Sequence, residues 1–202
     1  MNWLLIALAA FLCGSIPFSV WLSRLFYRQD PRAYGDGNPG AVNTFRMSKP
    51  WLGILVLLLD VSKAALPVGV AYGMLGLRGI PMAVIAIAPM LGHAFSPFLR
   101  FRGGKALACA LGVWIGLGGW SIASAAVLGA VLGKAFFTND GWGALTGLVF
   151  VLPVIFIFQA DKLLLVVWLL QAALLTYTLR KDLAKAPQFK PWLKRLFTIP
   201  RP

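Results

Sequence analysis

The sequence predicts an all-α integral membrane protein of about seven transmembrane helices, with five as the fallback, and three observations carry that expectation. Apolar residues make up 59% of the 202 residues and charged residues only 12%, a balance suited to lipid rather than water. The apolar residues gather into runs approaching the roughly 20 residues of helix that a bilayer core about 30 Å thick requires. The basic residues lie between these runs or, like Arg24, at the end of one, Lys63 excepted.

The runs are residues 3–25, 51–77, 80–91, 107–117, 120–132, 142–158 and 163–179. No basic stretch precedes the first, and Arg24, Arg28 and Arg32 follow its core at residues 3–22, so it is expected to be a retained span and not a cleaved signal. The third, fourth and fifth are short. Gly118-Gly119 marks either a turn between two of them or a kink in one long helix. Orientation follows from the rule that cytoplasmic loops keep Lys and Arg. With the N-terminus outside and the C-terminus cytoplasmic, all 19 basic residues except Lys63, Arg78 and Lys162 fall on the inner side. The expected organisation is one polytopic domain over residues 1–179, followed by a cytoplasmic tail over 180–202. The tail mixes basic residues with Leu183, Phe189, Trp192, Leu196 and Phe197, a pattern suited to the surface of an anionic leaflet.

The formal net charge is +13, and the only acids are Asp30, Asp36, Asp60, Asp140, Asp161 and Asp182. Such an excess favours anionic partners, either lipid headgroups or phosphorylated metabolites. Nucleic acid is not expected, because no soluble module or interleaving of aromatic with basic residues is present. Cys13 and Cys109 both lie inside apolar runs, which suits neither a disulfide scaffold nor a metal site.

Three polar segments interrupt the apolar runs. Residues 35–46 read GDGNPGAVNTFR. Gly35, Gly37 and Gly40 permit tight turns there, Asn38 and Asn43 offer side-chain donors, and Arg46 offers a fork suited to phosphate. An ordinary surface turn is the alternative. Asp60 and Lys63 are spaced to share a helix face, roughly 13 to 18 Å along the helix from Trp51. Charges at that depth must pair or line a wet cavity, so they form a structural ion pair, a substrate-facing lysine, or both. Residues 92–106, GHAFSPFLRFRGGKA, gather the sole histidine, His93, with Arg100, Arg102, Gly103, Gly104 and Lys105. This is either a phosphate cradle or a glycine turn beside a topology signal.

Together with GSIPFS at residues 14–19 and DVSK at 60–63, these segments resemble the bacterial PlsY-type acyl-phosphate:glycerol-3-phosphate acyltransferases. The resemblance implies seven spans, an external N-terminus and a cytoplasmic site. It also implies transfer of an acyl group from acyl phosphate to the 1-position of glycerol 3-phosphate, in the cell membrane, for phospholipid synthesis. By the same resemblance His93, Lys105 and position 36 carry the chemistry. Gly35, Gly37, Asn38, Gly40, Asn43, Arg46, Lys63, Ser96, Arg102, Gly103 and Gly104 bind substrate or phosphate. No cofactor or metal is expected. The chain departs from the family pattern at Asp36 and Val42, where Ser and Thr are usual, and at Ala64 and Ala106, where glycine is usual. The usual His-x-x-Asn pair near the C-terminus is replaced by Leu179 and Asp182.

Two substrate phosphates bring about four negative charges, to be met by Arg46, Lys63, Arg100, Arg102 and Lys105. Acyl phosphate is already activated, so positioning and electrostatic stabilisation suffice without a covalent nucleophile. Lys105 and the Gly103 and Gly104 amides are expected to hold the departing phosphate, and Arg46 with Asn38 and Asn43 a substrate phosphate. His93 orients substrate or takes the hydroxyl proton; alternatively it is structural and a donor oxygen takes the proton. Position 98, five residues after His93, is Phe98, so the His-x4-Asp pair of acyl-CoA-dependent enzymes is missing. The alternatives to this enzyme are a paralogue with another acceptor or donor, or a non-enzymatic organic-phosphate binder or transporter.

Overall fold

The computed structural model describes residues 2–159 and 161–193. Leu196 and Phe197 of the expected tail, with Lys194, Arg195 and Arg201, lie outside the described residues. Each predicted apolar run is helical, and two further short helices lie in the polar segments.

Helix α1 (Trp3–Ser15) starts where the Asn2 side chain accepts from the Leu4 N–H at 3.0 Å. It stops at Ile16, whose place before Pro17 disfavours helical backbone. The chain then resumes as α2 (Phe18–Tyr27). After a single 3-10 turn at Pro31–Ala33 come α3 (Ala41–Met47) and α4 (Pro50–Gly69), the latter begun by a proline that lacks the N–H a first turn does not need. Three residues past Pro67, α4 gives way to a π turn over Val70–Met74. Next follow α5 (Gly79–Ala94), α6 (Leu107–Gly116), α7 (Trp120–Phe136) and α8 (Asp140–Val154). Then come α9 (Lys162–Thr178), capped by Asp161, and the single turn α10 (Arg180–Leu183). Gly118, at φ +73°, separates α6 from α7, so Gly118-Gly119 is a break between two helices and not a kink in one.

Among the described residues four helical stretches are long and apolar enough to cross a membrane: Trp3–Tyr27, Pro50–Met74, Gly79–Leu99 and Asp140–Ile157. Helices α6, α7 and α9 are shorter apolar helices of 10 to 17 residues. The side chains are sorted as lipid demands. On α1 the small Ala7 and Ala10 are buried while Leu4, Leu5, Leu8 and Leu12 are exposed. Small residues let backbones approach, and large apolar ones meet the hydrocarbon.

Three helix pairs dominate the packing: α1 with α5, α4 with α6, and α7 with α8. Each meets through glycine. A methyl group on Gly92 of α5 would strike the Phe11 carbonyl of α1, and one on Gly112 of α6 would strike the Val61 carbonyl of α4. Gly112 faces Val61 and Gly116 faces Ala65, so α4 and α6 run parallel. Gly129 faces Thr146 and Phe150 while Gly133 faces Gly143, so α7 and α8 run antiparallel.

Residues 180–193 fold back on the α7–α8 turn. The Thr138 N–H donates to the Gln188 carbonyl at 2.9 Å, and the Lys190 N–H donates to the Phe136 carbonyl at 2.8 Å. Phe137 and Phe189 stack at 5.3 Å, and the Trp142 and Trp192 indoles donate to the Lys185 and Ala135 carbonyls. The described part of the expected tail is therefore packed against the helices and lines their cleft.

Candidate active site

The glycine-rich loop between α2 and α3 is folded by its own side chains. Gly35 and Gly37 adopt φ +58° and +75°, the left-handed region in which a side chain is strained. At Gly35 a Cβ would also run into Arg46 Nη1 and Asn43 Oδ1. Asn43 is the hub. Its Nδ2 donates to Asp36 Oδ1 at 2.8 Å and to the Asn38 carbonyl at 3.0 Å, while its Oδ1 accepts from Arg46 Nη1 at 3.1 Å. The Asn38 N–H also donates to Asp36 Oδ1 at 3.2 Å. Asn43 is buried with its amide committed within the loop, so it wires the loop together instead of reaching a ligand.

The loop presents Asp36 to Lys105, which lies between α5 and α6. Lys105 Nζ is 2.6 Å from Asp36 Oδ2 and 2.6 Å from Asp182 Oδ2, the second carboxylate coming from α10. Burial pushes the Asp36 carboxyl up, but the Lys105 ammonium and the donors of Asn38 and Asn43 outweigh it, leaving its pKa below the usual value. Burial pulls Lys105 down, yet Asp182 and Asp36 more than compensate, so its pKa is raised. Both shifts favour the charged forms of Asp36 and Lys105.

His93, near the end of α5, faces the same space. Its Nδ1 is 3.9 Å from Asp60 Oδ1, beyond hydrogen-bonding distance. Its Nε2 lies so close to Gly104 that a Cβ there would collide with it. Asp60 and Lys63 of α4 are buried and form an ion pair at 2.7 Å. At the break after α1 the Ile16 carbonyl accepts from the Phe18 N–H at 3.1 Å and from Lys63 Nζ at 2.8 Å. This satisfies a buried ammonium that would otherwise be costly.

Asp36, Asn38, Gly40, Arg46, His93 and Lys105 all line one cleft of about 570 Å³. Other expected ligands are turned elsewhere. Lys63 faces Asp60 and Ile16, not the cleft. Ser96 donates to the Ser15 carbonyl at 2.6 Å, pinning the loop after α5 to the end of α1. Arg100 and Arg102 are exposed and outside the cleft lining. The Gly103 and Gly104 amides, expected to meet phosphate, donate to the Ala94 and His93 carbonyls at 3.0 Å each. They close the turn that delivers Lys105.

The sequence reading missed the opposite wall. Lys134, Thr138, Asn139, Asp140, Asp182 and Lys185 complete the cleft, with Lys134 paired to Asp140 at 2.6 Å. The signal was Lys134 with Thr138, Asn139 and Asp140, a polar cluster between two apolar runs. The charged lining is balanced, Asp36, Asp60, Asp140 and Asp182 against Arg46, Lys105, Lys134 and Lys185. This differs from the cationic pocket expected from the loops alone.

Comparison with known proteins gives the family and the fold. A family model described as glycerol-3-phosphate acyltransferase matches residues 4–187. A glycerol-3-phosphate acyltransferase of Aromatoleum aromaticum is 48% identical over 125 residues, 62% of this chain and 63% of that protein. One from Pseudomonas paraeruginosa is 50% identical over 117 residues, 58% of this chain and 61% of that protein. The chain thus spans just over three-fifths of the length of these curated relatives. The fold is similar to the crystal structure of PlsY (YgiH), an integral membrane glycerol 3-phosphate acyltransferase, in its glycerol 3-phosphate form. The TM-score is 0.83 at 27% identity, over 98% of this chain and 100% of that one. The lysophosphatidic acid form of the same protein gives 0.81 at 25% identity, with the same coverage. With its sequence matched from residue 4 to 187 and its helices superposable on that fold, the chain belongs to the glycerol-3-phosphate acyltransferase family.

Proposed function

We propose that this protein transfers a fatty acyl group from acyl phosphate to the 1-hydroxyl of glycerol 3-phosphate, giving lysophosphatidate for phospholipid synthesis. The observation that carries the reading is the single cleft in which Lys105, Arg46 and His93 converge, in a chain of this family. The hydroxyl oxygen attacks the acyl carbonyl, the ester bond forms, and the carbonyl–phosphate bond breaks with its electron pair leaving on phosphate. His93 orients the hydroxyl and accepts its proton, which is then passed to the departing phosphate. Lys105 stabilises charge developing on that phosphate and also bonds the phosphate of glycerol 3-phosphate, which Arg46 with Asn38 steadies. Asn43 fixes Arg46 and Asp36, and Gly104 gives the imidazole room. No covalent intermediate is required, because the donor carbonyl is already activated.

The same reading places the chain in the cell membrane with seven spans, an external N-terminus and a cytoplasmic active site. Residues 1–193 act as one polytopic unit, since the segment after α9 packs on the α7–α8 turn. Supporting this orientation, the charged cleft lies on the side where the Lys and Arg residues gather.

A second reading, a paralogue using another acceptor, is favoured by the two carboxylates at Lys105. Incubating purified protein with acyl phosphate and either glycerol 3-phosphate or other hydroxyl acceptors separates the two. Lysophosphatidate formed from glycerol 3-phosphate supports the first. Ester formed only on a different acceptor supports the second, and flux of glycerol 3-phosphate into liposomes without any ester would indicate transport.

A further inference from the structure

We infer that Asp182 is a specificity-determining counter-ion of Lys105, which the phosphate of the acceptor must displace in order to bind. The inference rests on the reading above, in which Lys105 bonds the phosphate of glycerol 3-phosphate as well as the departing phosphate. An ammonium has three donor directions, and Lys105 spends two of them on carboxylates at 2.6 Å each. A phosphate dianion arriving beside two carboxylates meets repulsion that one ammonium cannot cancel, so one carboxylate has to leave.

The structure distinguishes which one. Asp36 is tied down from behind, its Oδ1 accepting from Asn43 Nδ2 and from the Asn38 N–H, within a loop that also holds Arg46. The Asp182 carboxylate has Lys105 as its one partner among the described residues. It stands on α10, a single turn of four residues, anchored through its backbone carbonyl by Asn139 Nδ2. Rotation of the Asp182 side chain therefore frees a donor of Lys105 while leaving that anchor intact. Both ends of the contact are partly exposed, with side-chain exposures of 21% for Lys105 and 27% for Asp182. The exchange is thus accessible from the cleft and modest in strength.

The consequence is selection by charge. A phosphate-bearing acceptor can compensate Lys105 when Asp182 leaves, and a neutral polyol cannot. The affinity for glycerol 3-phosphate is correspondingly held down by the competition.

The test is calorimetric titration of glycerol 3-phosphate, with glycerol as the neutral control, into the detergent-solubilised full chain and its Asp182→Asn variant. The expected result is binding about threefold to tenfold tighter in the variant, with glycerol unaffected. The KM for glycerol 3-phosphate should fall in the same ratio with kcat retained, a split that a merely structural role would not produce. Equal or weaker binding in the variant overturns the inference. Should Asp182→Asn fail to fold, Asp182→Ser carries the same comparison; loss of folding in both would make Asp182 a stability residue and also overturn it. Because the titration needs no turnover, tighter binding without lysophosphatidate would remove the acyl-phosphate reading and leave this inference standing. Product formation without tightening would do the reverse.

Discussion

Lys105 is the point at which three segments distant in sequence meet: the glycine-rich loop through Asp36, the turn after α5, and α10 through Asp182. An aspartate at position 36, in a loop suited to anions, needs a basic partner beside it. Which residue supplies that partner, and that Asp182 joins it, depends on contacts spanning 69 and 77 positions, which no local pattern encodes. The same limit explains the Gly103 and Gly104 amides. Glycine pairs advertise free N–H groups, but here both are used by carbonyls of the preceding helix. Replacing Lys105 by alanine should lower kcat/KM about a hundredfold or more, measured by lysophosphatidate formation with the melting temperature as a control for folding. Gly104→Ala should reduce kcat by roughly tenfold to a hundredfold, because the added methyl would strike His93 Nε2. Unchanged turnover would take His93 out of the mechanism. The ion pair also predicts a pH dependence. The folded-state pKa of Asp36 is depressed, so its contribution to stability is complete above the unfolded value near pH 4 and is lost as pH falls through the folded value. The raised pKa of Lys105 sets the opposite edge: its contribution is complete below about pH 10.4 and is lost as pH rises through the folded value. The melting difference between the wild type and Asp36→Asn should be flat between these limits and shrink below about pH 4.

At the level of elements, apolar runs located every long helix, while their ends and interruptions were less visible. The first run is broken at Ile16 because Pro17 follows it, and the Ile16 carbonyl at that break accepts from Lys63 as well as from the Phe18 N–H. Asp60 and Lys63 were readable as a pair from their spacing, and the structure shows that ion pair at 2.7 Å. Helices α3 and α10 were missed, at seven and four residues too short to show a periodicity. The helix pairs themselves depend on glycine. Gly112→Leu should destabilise the α4–α6 contact by about 1–3 kcal/mol, visible as a lower melting temperature in detergent, since its side chain would enter the backbone of Val61 and Ala65. The fold-back after α9 is tested separately. Trp142→Phe removes the bond to the Lys185 carbonyl, should cost about 1 kcal/mol, and should speed proteolysis within residues 184–193. A segment lying free on a leaflet would show no such acceleration.

For the whole molecule, composition alone was enough to specify an all-helical membrane protein, because 59% apolar residues leave few other solvents for the chain. The balanced charge of the cleft was not legible. A count of basic residues in loops ignores where each side chain turns, and Lys63, Arg100 and Arg102 turn away while four aspartates line the cleft. The net charge of +13 therefore describes the face toward anionic lipid more than the interior of the site. The most direct measurement of the account is product analysis of the purified protein supplied with acyl phosphate and glycerol 3-phosphate. The account predicts lysophosphatidate and inorganic phosphate in equal amounts, both abolished in Lys105→Ala. Folded protein that binds glycerol 3-phosphate yet yields no lysophosphatidate, or that acylates only another acceptor, would contradict it.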